Sequence, residues 1–293
     1  MFLCYASSLG LCLKGPVFID AAFCRYFDEL FEEGLGFTTG ERLLSGWMDS
    51  FPEFRPGNFP FALRAVRGWR RLKPSSSRHP LPWLVAVLIA CHMACGPLGA
   101  EGAIAVLVMF DAYLRPYELF SLRVCDVVFP AAQFTCVSLV ICPFDKKKPT
   151  KTGVFDDSIP LNSVDRCNIA PLLAWWIATQ KLKRDDFVCS VSHLALGKEF
   201  TRVCALLGLS RWGFVLYSCR HGGPSEDRAN RMRSLLEIQK RGRWMSEKSV
   251  RRYEQEGRLH VVLSNLSADF VSYGIECSKN LVACITLPSR LRV

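Results

Sequence analysis

The 293-residue chain lacks several features that would place it at once. It has no Cys-x-x-Cys pair among its 14 cysteines, and none of its five histidines stands at metal-ligand spacing from two cysteines. The usual zinc-module signatures are therefore absent, and thiols this sparse do not make a disulfide scaffold. Cys91, Cys95, Cys125, Cys136 and Cys142 lie in apolar runs, so reduced core thiols and no metal are expected. Internal repeats are missing. Met1 to Leu13 is apolar, but without a basic leading segment or a small-residue cleavage site it does not read as a secretory signal. No Asp, Glu, Lys or Arg occurs between His79 and Ala100. Pro80, Pro82, Gly96, Pro97 and Gly99 leave about a dozen continuous helical residues there, which suits a buried core helix rather than a membrane span.

What is present is an ordinary globular composition, 50% hydrophobic and 22% charged. Disordered and low-complexity classes are excluded. Lys and Arg number 37 against 27 Asp and Glu, a net charge of +10. An excess of that size favours a polyanionic partner, nucleic acid before an acidic membrane surface.

Ile19 to Glu33 has the spacing of an amphipathic helix, with Asp20 as its expected N-cap and Gly34 as its stop. A second helix opens at Thr39 to Glu41, Phe51 to Pro60 reads as a loop, and Phe61 to Lys73 as a basic helix. Residues 75–80, small, polar and bounded by prolines, are the clearest linker. The expected organisation is a small helical domain over 1–74, the linker 75–80 and a second domain over 81–293. In that second domain Trp83 to Cys95 and Ala103 to Tyr113 read as buried helices, and Arg115-Pro116 opens another. Phe134 to Cys142 and Val154 to Leu161 read as paired strands around a lysine-rich turn at Asp145 to Gly153. Helices follow at Ala170 to Leu182, Leu196 to Leu207, and in short pieces from Leu216. The fold class is mostly α, an α+β arrangement with one small antiparallel sheet.

Arg202 to Arg258 holds 13 Lys or Arg against six Asp or Glu, with Trp212, Tyr217, Trp244 and Tyr253 between them. Cations interleaved with aromatics are the footprint of a nucleic-acid backbone site. Phosphodiester cleavage without metal needs cationic forks on the phosphate oxygens, a nucleophile, and an acid for the leaving oxygen. Arg115, before a proline-started helix, and Arg220 can supply the forks. Tyr253, among Lys248, Arg251, Arg252 and Arg258, can supply the nucleophile, because nearby cations favour phenolate.

Three blocks carry a resemblance. Tyr113-Leu114-Arg115-Pro116-Tyr117-Glu118-Leu119 is followed by Leu122-Arg123 and Asp126-Val127. Leu216-Tyr217-Ser218-Cys219-Arg220-His221 comes next. Gly242-Arg243-Trp244 stands nine residues before Tyr253. In order and spacing these resemble the arginine, His-x-x-Arg and His/Trp-to-Tyr blocks of the tyrosine recombinases. The style, including Lys151-Thr152-Gly153 and residues 155–158, is closest to recombinase-like proteins of eukaryotic mobile elements, the Crypton and DIRS groups.

The resemblance implies site-specific DNA breakage and rejoining through a covalent 3′-phosphotyrosyl link, without metal, cofactor or ATP. Arg115 and Arg220 would grip the scissile phosphate, Tyr253 would attack it, and Trp244 would donate its indole N–H to a phosphate oxygen. A hairpin lysine, Lys151 in preference to Lys146, Lys147 or Lys148, would protonate the leaving 5′-oxygen. Arg70, Arg71, Lys148, Arg243, Lys248, Arg251 and Arg252 would contact double-stranded DNA. The implied partners are DNA and a homotetramer on two duplexes, with no membrane; the implied compartment is the nucleus.

The sequence departs from that pattern twice. Tyr217 stands where the family has His, and a phenol is a poor base near neutral pH. Gly222-Gly223-Pro224 follows, and Pro224 is expected to break the helix or start a new one at Ser225. His221 reads as a core contact. A catalytically decayed DNA-binding remnant is the alternative. A type IB topoisomerase is disfavoured by the short first domain, and a membrane protein rests on His79 to Ala100 alone.

Overall fold

A computed structural model of the chain describes residues 1–74, 78–133, 135–143 and 155–287. Two compact units divide it, 1–77 and 78–293.

Among the described residues the first unit has four α-helices, α1 (Phe2–Ser8), α2 (Pro16–Glu32), α3 (Thr38–Ser50) and α4 (Pro60–Leu72). Ile19, Ala22, Phe23, Tyr26, Phe27 and Leu30 recur at three- and four-residue intervals on α2 and are all buried. Their partners are Leu44 of α3 and Ala62, Val66 and Trp69 of α4. Phe23 stacks on Phe2 at 4.1 Å and meets Trp47 and Phe59 edge-on. The expected cap is corrected here. α2 starts at Pro16, which supplies a pre-set φ and no wasted N–H. Asp20 is instead buried within α2, and its carboxylate accepts the Phe61 N–H at 3.0 Å and the Ala62 N–H at 2.7 Å. It therefore caps α4, not its own helix.

The second unit runs α5 (Trp83–Ala94), α6 (Gly99–Asp111), α7 (Pro116–Ser121), β1 (Val127–Val128), β2 (Ser138–Ile141), β3 (Asp157–Pro160), α8 (Ile169–Thr179), α9 (His193–Leu206), α10 (Ser218–Ala229), α11 (Leu235–Gly242), α12 (Glu247–Val250), α13 (Glu256–Ser264), α14 (Ala268–Lys279) and α15 (Leu281–Thr286). The class is mostly α, with β1, β2 and β3 forming one antiparallel sheet in that order. Val127, Leu139 and Ile159 stand opposite one another across it and are buried. The lysine-rich turn expected between β2 and β3, with Lys146, Lys147, Lys148 and Lys151, lies outside the described residues.

α5 explains the uncharged stretch. Every residue from Val85 to Cys91 is fully buried, because α6, α9, α10, α14 and α15 surround it. A helix apolar on all faces belongs in such a place, and no described helix is long and apolar enough to cross a membrane. Of the cysteines expected inside, Cys91 and Cys142 are buried and Cys136 partly so, whereas Cys95 and Cys125 are exposed. Cys95 follows the last residue of α5, and Cys125 sits in a single 3-10 turn, Val124–Asp126.

The expected break at Pro224 does not occur: α10 passes through it. Ser218 through Asp227 are all buried, so tertiary packing overrides a local cost of about 3 kcal/mol. The glycines make that packing possible. A Cβ on Gly222 would stand 2.1 Å from the Leu81 carbonyl oxygen, and one on Gly223 would stand 2.3 Å from that of Phe110. Substitution Gly223→Ala is therefore expected to destabilise the chain by about 1–3 kcal/mol through overpacking, read by urea unfolding. Gly257→Ala, with open space around it, is the control and should stay within about 0.5 kcal/mol of the parent.

Candidate active site

The site begins where α6 ends. Tyr113 adopts a left-handed conformation, φ 50°, and its carbonyl accepts N–H groups from both Arg220 and Arg243. Two residues on, Arg115 caps α7, with Pro116 in the first turn. Glu118 Oε2 accepts the Arg115 backbone N–H at 2.7 Å, and Oε1 accepts Arg115 Nη1 at 2.5 Å. The same carboxylate takes Arg243 Nη2 at 2.6 Å and lies 3.8 Å from Arg220 Nη1. Burial pushes the Glu118 carboxyl up, but Arg243, Arg220 and Arg115 together hold it below the usual range. One carboxylate thus serves three guanidiniums, leaving a cluster that attracts anions.

Arg220, on α10, has no solvent exposure. Its Nη2 donates to the Gly242 carbonyl at 2.6 Å, and its guanidinium lies 4.9 Å from the Trp244 ring and 5.5 Å from that of Tyr253. Burial and the neighbouring Arg243 bring its pKa down to about 10, so it stays cationic at neutral pH. Gly242 is required: a Cβ there would fall 1.9 Å from the Trp244 ring. Arg243 follows at φ 56° and turns the chain.

Tyr253 is half-buried, with Trp244 and His221 each stacked on its ring at 4.7 Å. Its hydroxyl is 3.0 Å from that of Tyr217. Burial raises the Tyr253 phenol, but the Tyr217 hydroxyl, Arg220 and Arg115 outweigh it and bring the pKa below that of an ordinary tyrosine. Tyr217 moves upward, through burial and then through its bond to Tyr253. Between neutral phenols either hydroxyl can donate; once Tyr253 is ionised, Tyr217 can only donate to it. His221 is neutral at pH 7, since burial, Arg78 and Arg220 depress it to about 4. Arg220 Nε and Trp244 Nε1 are buried without a hydrogen-bond partner among the described residues. Two orphaned donors beside one phenol suit a ligand rich in acceptor oxygens.

A layer of buried ion pairs lies beneath. Arg166 Nε donates to Asp111 at 2.8 Å and Arg241 Nη2 to the same carboxylate at 3.0 Å. Asp227 accepts from Arg166, Arg233 and the Tyr113 hydroxyl. Arg241 precedes Gly242 and also donates to the Pro160 carbonyl at 2.7 Å, tying β3 to the end of α11. No carboxylate of this layer, nor Arg166, stood out in the sequence; Asp111, Arg166 and Asp227 are each more than 50 positions apart and share no local spacing.

Of the expected site residues, Arg115, Tyr217, Arg220, Trp244 and Tyr253 come together. Lys148 and Lys151 lie outside the described residues. Lys248, Arg251 and Arg252 are exposed on and just after α12, Arg251 paired with Glu247 at 2.5 Å. Arg70 and Arg71 are exposed at the end of α4; Arg70 lies 4.8 Å over Phe37. Arg243, expected on a DNA-facing surface, is internal, only 7% exposed, because Glu118 draws it in. A cleft of 670 Å³ borders Tyr217 and Pro116 and is lined by Arg78, His193 and Lys198. Another, of 690 Å³, borders Trp244 and Arg243 with Lys240 and Arg241.

No family model matches the chain, and no curated protein matches it. Solved structures do. The Tn1549 transposon integrase with transposon right-end DNA superposes with a TM-score of 0.60 at 13% identity, over 88% of this chain and 84% of that one. The same integrase with circular-intermediate DNA gives 0.58 at 14% identity, over 87% and 84%. The fold is that of a tyrosine-recombinase catalytic domain.

Two outcomes follow from the electrostatics. Tyr217→Phe removes the donor to Tyr253, so the Tyr253 phenol should titrate at higher pH, read by NMR of ¹³Cζ-labelled tyrosine; an unchanged or lower value contradicts the assignment. Asp227 is pushed up by burial yet held below the usual range by Arg166 and Arg233. Its stabilisation is then present above an unfolded pKa of about 4 and is lost as pH falls through the lower folded value. Asp227→Asn should cost about 3–5 kcal/mol at pH 7 by leaving buried cations unpaired, with a smaller penalty at acid pH.

Proposed function

We propose that the chain breaks and rejoins DNA as a site-specific recombinase or integrase. The observation that carries the reading is the Tyr253 hydroxyl held 3.0 Å from Tyr217, with its pKa lowered beside Arg220 and Arg115. A depressed phenol between two cations is an activated nucleophile.

In this reading Tyr253 releases its proton to solvent, the phenolate oxygen attacks the scissile phosphorus, the P–O5′ bond breaks, and a 3′-phosphotyrosyl link forms. The phosphodiester energy stays in that link, so rejoining needs no ATP. Arg115, Arg220 and the Trp244 indole N–H would take the oxygens of the trigonal-bipyramidal phosphorus. The departing 5′-oxygen needs a proton, which the reading assigns to Lys151. The neutral His221 ring and the Trp244 ring would hold the nucleophile in register. Tyr217 would hydrogen-bond first to the phenol and then to the phosphate, the place a histidine takes elsewhere. Exposed Arg70, Arg71, Lys248 and Arg252 would contact the DNA backbone. An origin in eukaryotic mobile elements, action in the nucleus and assembly as a tetramer on two duplexes are parts of the same proposal.

A non-catalytic DNA-binding remnant is the second reading, and Tyr217 in place of histidine is what favours it. The uninterrupted α10 removes the other departure that had pointed the same way.

The test uses a pool of nicked duplexes carrying bridging 5′-phosphorothiolates, which trap the covalent link. The chain should give a denaturant-resistant protein–DNA adduct that Tyr253→Phe abolishes while DNA binding is kept. Trp244→Phe, which preserves a ring and removes one donor, should slow formation about 10²–10³-fold. Salt-dependent binding with no adduct across the pool would establish the remnant instead.

A further inference from the structure

Far along the sequence from the paired phenols, three cysteines from three helices meet. Cys91 lies on α5, Cys277 on α14 and Cys284 on α15, with 0, 2 and 5% exposure. Their sulphurs all lie within 4.8 Å of one another. The approach is built into the packing: a Cβ on Gly274 would stand 2.5 Å from Leu84 Cγ, so glycine lets α14 close onto α5. Cys277 and Cys284 also border a cleft of 250 Å³ formed with Tyr273, Glu276, Asn280 and Leu287. Buried sulphurs one side chain from an open cleft are reachable by a small ion.

The three sulphurs converge from three different helices, so it is the packing of α5, α14 and α15 that assembles the cluster. Metal binding by cysteine takes the thiolate form, so occupation is coupled to proton release. Nothing in the proposed DNA chemistry uses these residues.

We infer that Cys91, Cys277 and Cys284 form a three-sulphur site for one soft, thiophilic cation of the Cu(I) type, pinning the α14–α15 pair to α5. Thiolates select such ions over hard cations. The three sulphurs that converge within 4.8 Å suit three-coordination, whereas structural zinc takes four ligands. Binding forms three sulphur–metal bonds and releases to solvent the protons of whichever of the three are thiols. The oxidation state of the ion does not change. Because the ligands come from α5, α14 and α15, the occupied site crosslinks the end of the second unit to its central helix.

The experiment titrates the reduced full chain with Cu(I), without oxygen, against a chromophoric Cu(I) chelator, with a parallel arm using Zn(II). The expected result is one tightly held copper per chain and a raised Tm. Cys91→Ala, Cys277→Ser and Cys284→Ser should each weaken that equivalent at least tenfold and remove the Tm rise. Cys4→Ser and Cys12→Ser, at exposed thiols of the first unit, should leave it intact. X-ray absorption of the copper-loaded parent, which needs no variant to fold, should report three sulphur neighbours. The inference is overturned if the chelator strips all copper, if the triad variants retain it, if Zn(II) is preferred, or if mass mapping finds a disulfide within the triad in the metal-free protein.

Discussion

The buried guanidinium of Arg220 is the constraint around which the second unit is arranged. A charge with no solvent exposure is tolerated only if most of its hydrogen-bonding groups find partners and its field finds a counter-charge. The partners are the Tyr113 and Gly242 carbonyls, and the counter-charge is Glu118, 3.8 Å away. Presenting them takes unusual backbone. Tyr113 and Arg243 both sit in the left-handed region, at φ 50° and 56°, which costs a non-glycine residue about 1–2 kcal/mol. Strain of this kind persists where the surroundings over-determine it. Here Asp227 holds the Tyr113 hydroxyl and Glu118 holds Arg243.

From that anchor the chemistry follows by contact. Gly242 lets Trp244 fold back across it, Trp244 becomes one stacking partner of Tyr253, and His221, one residue after Arg220, becomes another. Arg220 thus sets both the charge felt by the Tyr253 phenol and the elements that hold its ring. The ion-pair layer of Asp111, Arg166, Asp227 and Arg241 supports this from beneath, at the junction of α6, α10 and α11. With a phenol at position 217, the hydrogen bond inside the site runs between two tyrosines, and Tyr217 donates it once Tyr253 is ionised. That direction favours phenolate at position 253 in a way a neutral His221 ring does not.

The α2 stripe, the wholly apolar α5 and the blocks around Arg115, Arg220 and Tyr253 were legible in the sequence. Each is a local pattern: a helical period, an uncharged run, or fixed spacings within a block. What escaped the sequence is what distant residues do to one another. Asp20 had the type and place of an N-cap for α2 but caps α4, 40 residues on. Pro224 reads as a breaker until the burial of Ser218 to Asp227 around it is known. Arg243, in a basic run, was expected to contact DNA, and Glu118 holds it inside. The Asp111–Arg166–Asp227 layer and the Cys91–Cys277–Cys284 cluster have no linear signature, because only the packing of α5, α6, α10, α14 and α15 assembles them. The lysine-rich turn falls outside the described residues, and its role rests on the resemblance.

Two phenols share one hydrogen bond, and only one of them, Tyr253, is the proposed nucleophile. The direct measurement is to digest a trapped protein–DNA adduct with protease and nuclease and to locate the residual nucleotide on the peptides by mass spectrometry. The nucleotide should be found on Tyr253 alone. A nucleotide on Tyr217, or on any residue other than Tyr253, would contradict the assignment.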